Sequence, residues 1–117
     1  MSFEYKVFQQ SHVISNSEEE LVLNAVSAEV YYIRMIRLTN VGAGAGAVTL
    51  SIIPNVAGAK GALDAKNKIF IESLAVGDSL TVEFPIPGII LEYNDVLSAI
   101  CDTADTINSV ITGGRDY

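Results

Sequence analysis

The chain has 117 residues, 14 acidic against 7 basic side chains for a net charge of −7, and is half apolar with only 18% charged residues. That apolar content excludes a disordered chain, and the length leaves room for one domain, spanning residues 1–117. No Lys/Arg cluster exists to neutralise phosphates, and no apolar run approaches the ~20 residues of a membrane span, so neither nucleic acid nor membrane is an expected partner. The charged fraction lies below the quarter or so typical of soluble domains, which points to surface hidden in an assembly.

Period-two alternation dominates the hydrophobic pattern and predicts short strands. In chain order the candidates are residues 3–9, 21–26, 30–38, 48–52, 69–73, 79–84, 89–92, 96–101 and 107–112. The clearest is Ser79-Leu80-Thr81-Val82-Glu83-Phe84, which can bury Leu80, Val82 and Phe84 and wet the residues between them. Val48, Leu50 and Ile52 form a second inward set, and Ile36 and Leu38 a third. The segment Ser17-Glu18-Glu19-Glu20 resembles a helix capping box, but Val22, Val26 and Val30 are β-branched and run into Tyr31-Tyr32-Ile33, so strand is expected there. Turn residues punctuate the pattern at Asn40 with Gly42, Pro54-Asn55, Gly58 to Gly61, Gly77-Asp78, Pro87-Gly88, Asn94-Asp95 and Asp102 to Asp105. Roughly eight short strands with such turns predict an all-β antiparallel sandwich, jelly-roll or Ig-like.

The motifs that suggest chemistry each have a plainer explanation. Gly42-Ala43-Gly44-Ala45-Gly46-Ala47, with Asp64 downstream, fits a dinucleotide fingerprint, but that fingerprint needs a following helix to hold the phosphates and a strand follows instead. His12 is the one histidine and has no nucleophile motif to serve. Cys101 is the one cysteine; it rules out an internal disulfide and sits in an apolar run, where it reads as a small buried hydrophobe. Asn94, Asp95, Asp102 and Asp105 could offer oxygen ligands to calcium, yet their spacing matches no EF-hand and Asp forms turns in its own right. The five tyrosines (Tyr5, Tyr31, Tyr32, Tyr93 and Tyr117) could stack on a sugar, but the chain has no Trp and packing is the commoner use. No catalytic, cofactor or metal residue is therefore assigned, and no enzyme is expected.

Ile36-Arg37-Leu38-Thr39-Asn40, a small-residue turn, Val48-Thr49-Leu50-Ser51-Ile52, then Leu74-Ala75-Val76-Gly77-Asp78-Ser79-Leu80-Thr81-Val82, Asp95-Val96-Leu97 and Val110-Ile111-Thr112-Gly113 follow one another in that order. This order resembles the small β-sandwich virion structural proteins of tailed bacteriophages, over roughly residues 20–114. The resemblance implies a non-enzymatic component of the virion, assembled in the host cytoplasm. Its foremost role would be a capsid decoration or cement protein that bridges coat subunits, and the alternative is a tail, baseplate or fibre accessory. It implies a homo-oligomer, with a trimer favoured, that binds the major capsid protein or tail proteins. A different class, a carbohydrate-binding module for host-surface glycans acting through Tyr31 or Tyr93, is the competing reading. Pro85-Ile86-Pro87-Gly88 departs from the related pattern at a place that can alter contacts with neighbours. Candidate interface residues are Phe3, Tyr5, Val7, Phe8 and Tyr117, apolar groups near the termini, with core packing an equal explanation of the first four. Lys66 and Lys68 before one strand, and Pro85 and Pro87 after another, are placed to blunt strand edges. The opening Met-Ser-Phe-Glu-Tyr-Lys lacks the basic start and apolar stretch of a secretion signal.

Overall fold

The computed structural model describes residues 3–117; Met1 and Ser2, part of the expected 1–117 span, lie outside the described residues. Nine strands form: β1 (Phe3–Val13), β2 (Glu19–Leu23), β3 (Val30–Asn40), β4 (Gly46–Ile53), β5 (Lys68–Leu74), β6 (Ser79–Glu83), β7 (Ile89–Leu91), β8 (Val96–Cys101) and β9 (Ile107–Asp116). One short 3₁₀ turn, Ala65–Asn67, is capped by the Asp64 carboxylate, which accepts from the Lys66 amide. No helix forms at the capping-box segment: Glu19 and Glu20 open β2, which holds Val22 but ends at Leu23, short of Val26. It starts earlier than the alternation suggested, and β1 and β9 each run four residues further, because each is paired along its length with a neighbour.

The pairing is nested. The first strand pairs with the last (β1·β9), the second with the last but one (β2·β8), β3 with β6, and β4 with β5, all antiparallel. Closing the two sheets adds β3·β9 and β4·β8, which gives the orders β1-β9-β3-β6 and β2-β8-β4-β5. A long hairpin folded over on itself in this way is a jelly roll, which settles the choice left open with the immunoglobulin arrangement. The remaining strand, β7, continues along β3 where β6 stops, so β6 and β7 share one edge with Pro85-Ile86-Pro87-Gly88 looped out between them.

Ile33, Ile36, Leu38, Val48, Leu50, Leu91, Leu97, Ile107 and Ile111 fill the space between the sheets, with Phe8, Phe70, Leu80 and Phe84 packed around them. Cys101 lies among them, fully buried. Two buried asparagines tie the strand ends to the loops with the same motif. The Asn24 amide donates to the carbonyls of Glu29 (2.8 Å) and Leu91 (3.0 Å), while its oxygen accepts from the Val26 amide (3.0 Å). The Asn40 amide donates to Gly44 and Leu74, and its oxygen accepts from Gly42. Each therefore satisfies in the interior what a solvent-facing turn would leave to water.

Candidate functional site

Alternation along β1 separates two sets of side chains. Phe8 points inward, its ring 5.0 Å from that of Tyr31 and packed on the core. Phe3, Tyr5 and Val7 point out from the other side of the same strand and are exposed. Register then assembles a patch across the outer face of the five-stranded sheet. Tyr5 lies opposite Gly114, which lies opposite Tyr32 and then Ile90; Val7 lies opposite Thr112 and Met35. Gly114 has no side chain to separate β1 from β3. A Cβ there would fall on the Phe3 ring, which lies across the glycine with its centroid 6.0 Å from that of Tyr32.

Tyr32 faces outward because of a bulge. Tyr31 and Ile33 are buried before it, and Ile36 and Leu38 after it, so the parity of β3 changes between Ile33 and Met35 where the ladder with β9 slips. The extra residue, Arg34, donates from Nε to the Phe84 carbonyl and holds the start of the Pro85–Gly88 loop against the sheet. Phe3, Tyr32, Arg34, Ile86 and Pro87 line a shallow recess of about 200 Å³ there, and Ile86, 80% exposed, stands at its rim. Arg34 forms no ion pair among the described residues.

The other side of β1 meets a polar cluster at the sandwich end. Arg115 pairs with Glu4 and, at 2.9 Å, with Glu29, and its guanidinium stacks 4.6 Å from the Tyr117 ring centroid. The Tyr117 hydroxyl donates to the Glu4 carboxylate (3.2 Å). Burial, and then the charge of Glu29, raise the Tyr31 pKa above its ordinary value, and the hydrogen bond to Glu4 raises that of Arg115. This cluster fastens the first strand to the last.

Of the five candidate interface residues, Phe3, Tyr5 and Val7 therefore share one face. Phe8, on the opposite side of β1, packs partly buried against the core, the alternative that its apolar character also allowed. Tyr117 belongs to the Arg115 cluster. Tyr32, Ile86 and Ile90 complete the patch. The acidic residues considered for calcium are held apart. Asp95 precedes β8 and is occupied by the Asn55 backbone and side-chain N–H groups and the Glu92 amide, while Asp102 follows β8 and accepts from the Ala47 amide. Six strand residues put them about 20 Å apart. Among the described residues no group of three or more His, Cys, Asp or Glu could hold a metal ion. Gly42 to Ala47 leads into β4, with no helix following. Of the two tyrosines considered for a sugar, Tyr31 is buried and Tyr93 is 40% exposed. No helix among the described residues is long and apolar enough to cross a membrane.

No protein-family model matches the chain, and no curated protein matches it in sequence. Among solved structures, the chain is similar to a protein of Bacillus endospore appendages, described as a novel family of disulfide-linked pili. The match has 11% identity and a TM-score of 0.54, and covers 97% of this chain and 87% of that one. It is a likeness of fold. The Tobacco streak virus coat protein aligns over 95% of this chain and 84% of its own at 10% identity, with a TM-score of 0.42, too distant to carry an argument. The one cysteine of the present chain is free and fully buried.

Proposed function

We propose that this chain is a non-enzymatic structural subunit of a tailed-phage virion that assembles with copies of itself and decorates or cements the capsid by bridging coat subunits. The observation that carries the assembly reading is the apolar outer sheet face; the virion role rests on the resemblance over roughly residues 20–114. A solvated antiparallel sheet presents polar residues on its outer side, whereas here Phe3, Tyr5, Val7, Ile86 and Ile90 are all exposed on one side. From their fractional exposure the apolar surface is on the order of 500 Å². That is near the top of the ~300–600 Å² of the largest apolar patch on a typical monomer, a patch that often has a function. A jelly roll fixes the positions of these side chains rigidly, which suits a lasting contact between subunits. The acidic net charge disfavours premature clumping of free subunits.

The coat-bridging role is tested by adding purified chain to heads that lack it and sedimenting the mixture. Co-sedimentation that saturates at a fixed ratio to coat protein, and is lost with Tyr5→Glu, supports the reading. Binding to isolated tails alone supports the tail, baseplate or fibre alternative. Binding to neither, with retention on a host-surface glycan array, moves the chain to the carbohydrate-binding class.

A further inference from the structure

The outer face carries both halves of a contact. Ile86 projects from the Pro85–Gly88 loop with 80% of its surface exposed and forms one wall of the recess that Phe3, Tyr32, Arg34 and Pro87 complete. A ring or filament contact joins two different surfaces, so its knob and its socket sit on different sides of the subunit. Here they sit on one face. A two-fold axis through that face puts residue i against j and j against i, which is the condition for an isologous dimer. We infer that the outer face of the β1-β9-β3-β6 sheet docks on the same face of a second copy, with each Ile86 seated in the other's recess. This deepens the assembly reading above and replaces the trimer expectation at this surface.

Size, area and charge each fit a second copy. The recess of about 200 Å³ exceeds the ~150 Å³ that accommodates a benzene molecule in an apolar cavity, so a branched aliphatic side chain has room. The apolar patch of about 500 Å² is some two thirds of the ~800 Å² that each partner buries in a standard interface, and the polar rim supplies the remainder. The chain as a whole is −7, so most of its surface repels its own copies. The rim of this face carries both signs, with Arg34 and Arg37 on β3, Glu83 and Asp116 on the flanking strands, and Glu92 just past β7. Arg34 forms no ion pair among the described residues, so its charge is available to an acidic rim residue of a second copy. The opposite outer face offers less, with Ile71 and Ile100 flanking Thr49 in one row.

The test is sedimentation equilibrium of the full chain over a concentration series, with Ile86→Glu and, as a control on the opposite face, Ile71→Glu. Both residues are exposed, so both variants fold, and circular dichroism checks this. The expected result is a dimer for wild type and Ile71→Glu, and dissociation at least 100-fold weaker for Ile86→Glu. A trimer, or an Ile86→Glu variant that self-associates like wild type, overturns the two-fold docking. So does a wild-type chain that is monomeric in solution yet abundant in particles, and that result leaves the coat reading standing. A dimer sensitive to Ile86→Glu that is missing from particles upholds the docking and removes the coat reading.

Discussion

Replacing Asn24 with Ala tests whether the strand-end motif holds the fold together. The side chain is fully buried and makes three hydrogen bonds, to the Glu29 and Leu91 carbonyls and from the Val26 amide. At about 1 kcal/mol each the loss is about 3 kcal/mol, since the Leu91 carbonyl is left buried without its donor. A domain of this length has a total stability of roughly 5–15 kcal/mol, so the midpoint of thermal unfolding should fall by about 10 °C. The Leu91 contact holds β7, and with it Ile90 on the outer face. Asn24→Asp separates the hydrogen bonds from the shape. It keeps the acceptor for Val26 but turns a carboxylate oxygen toward two carbonyl oxygens, so at neutral pH it should be at least as damaging as Ala. Relative to wild type its penalty should shrink as pH falls, because the protonated acid can donate to one of the two carbonyls. Urea unfolding of the three proteins at pH 7 and pH 4.5 measures both effects. A loss below about 1 kcal/mol for Ala, or an Asp variant as stable as wild type at pH 7, would refute the reasoning.

Two neighbouring glycines should respond differently to Ala. At Gly113 a Cβ falls on the Tyr32 backbone carbonyl, which cannot yield without parting β9 from β3, so Gly113→Ala should lose more than about 3 kcal/mol in denaturant titration. At Gly114 the first obstacle is the exposed Phe3 ring, so Gly114→Ala should cost less than about 1 kcal/mol while moving that ring, read as an altered near-ultraviolet circular dichroism. Tyr31 supplies a pH test. Its folded pKa is raised, so its contribution is fully present below about pH 10 and is lost as pH rises through the folded value. Urea midpoints should therefore fall more steeply between pH 9.5 and 11 for wild type than for Tyr31→Phe, and equal slopes would contradict the assigned cause.

How far the sequence could be read depended on parity. Alternation in Ser79–Phe84 and Val48–Ile52 places Leu80, Val82, Val48 and Leu50 correctly, because neither segment contains a bulge before its core residues and one face of each is wet or covered consistently. The same rule separates Phe3, Tyr5 and Val7 from Phe8, although proximity to the terminus had grouped the four together. It fails in β3. Counting back from Ile36 and Leu38 would turn Tyr32 inward, and only the bulge at Arg34, set by pairing with β9, turns it outward. A bulge is a tertiary event with no local signature in Ile33-Arg34-Met35. The nested pairing is also non-local, since β1 meets β9 more than a hundred residues away, so the sandwich was legible and the jelly-roll order was not. The two prolines around Ile86 mark a loop, but that β6 and β7 on either side of it share one edge of β3 is again a non-local fact.

The most direct measurement of the central claim is the copy number of this chain in purified virions, by quantitative mass spectrometry against the major coat protein. A count comparable to the coat protein is the result expected of a decorating subunit. A few to a few tens of copies would contradict capsid decoration and place the chain on the tail or fibre, and complete absence would contradict the virion role altogether.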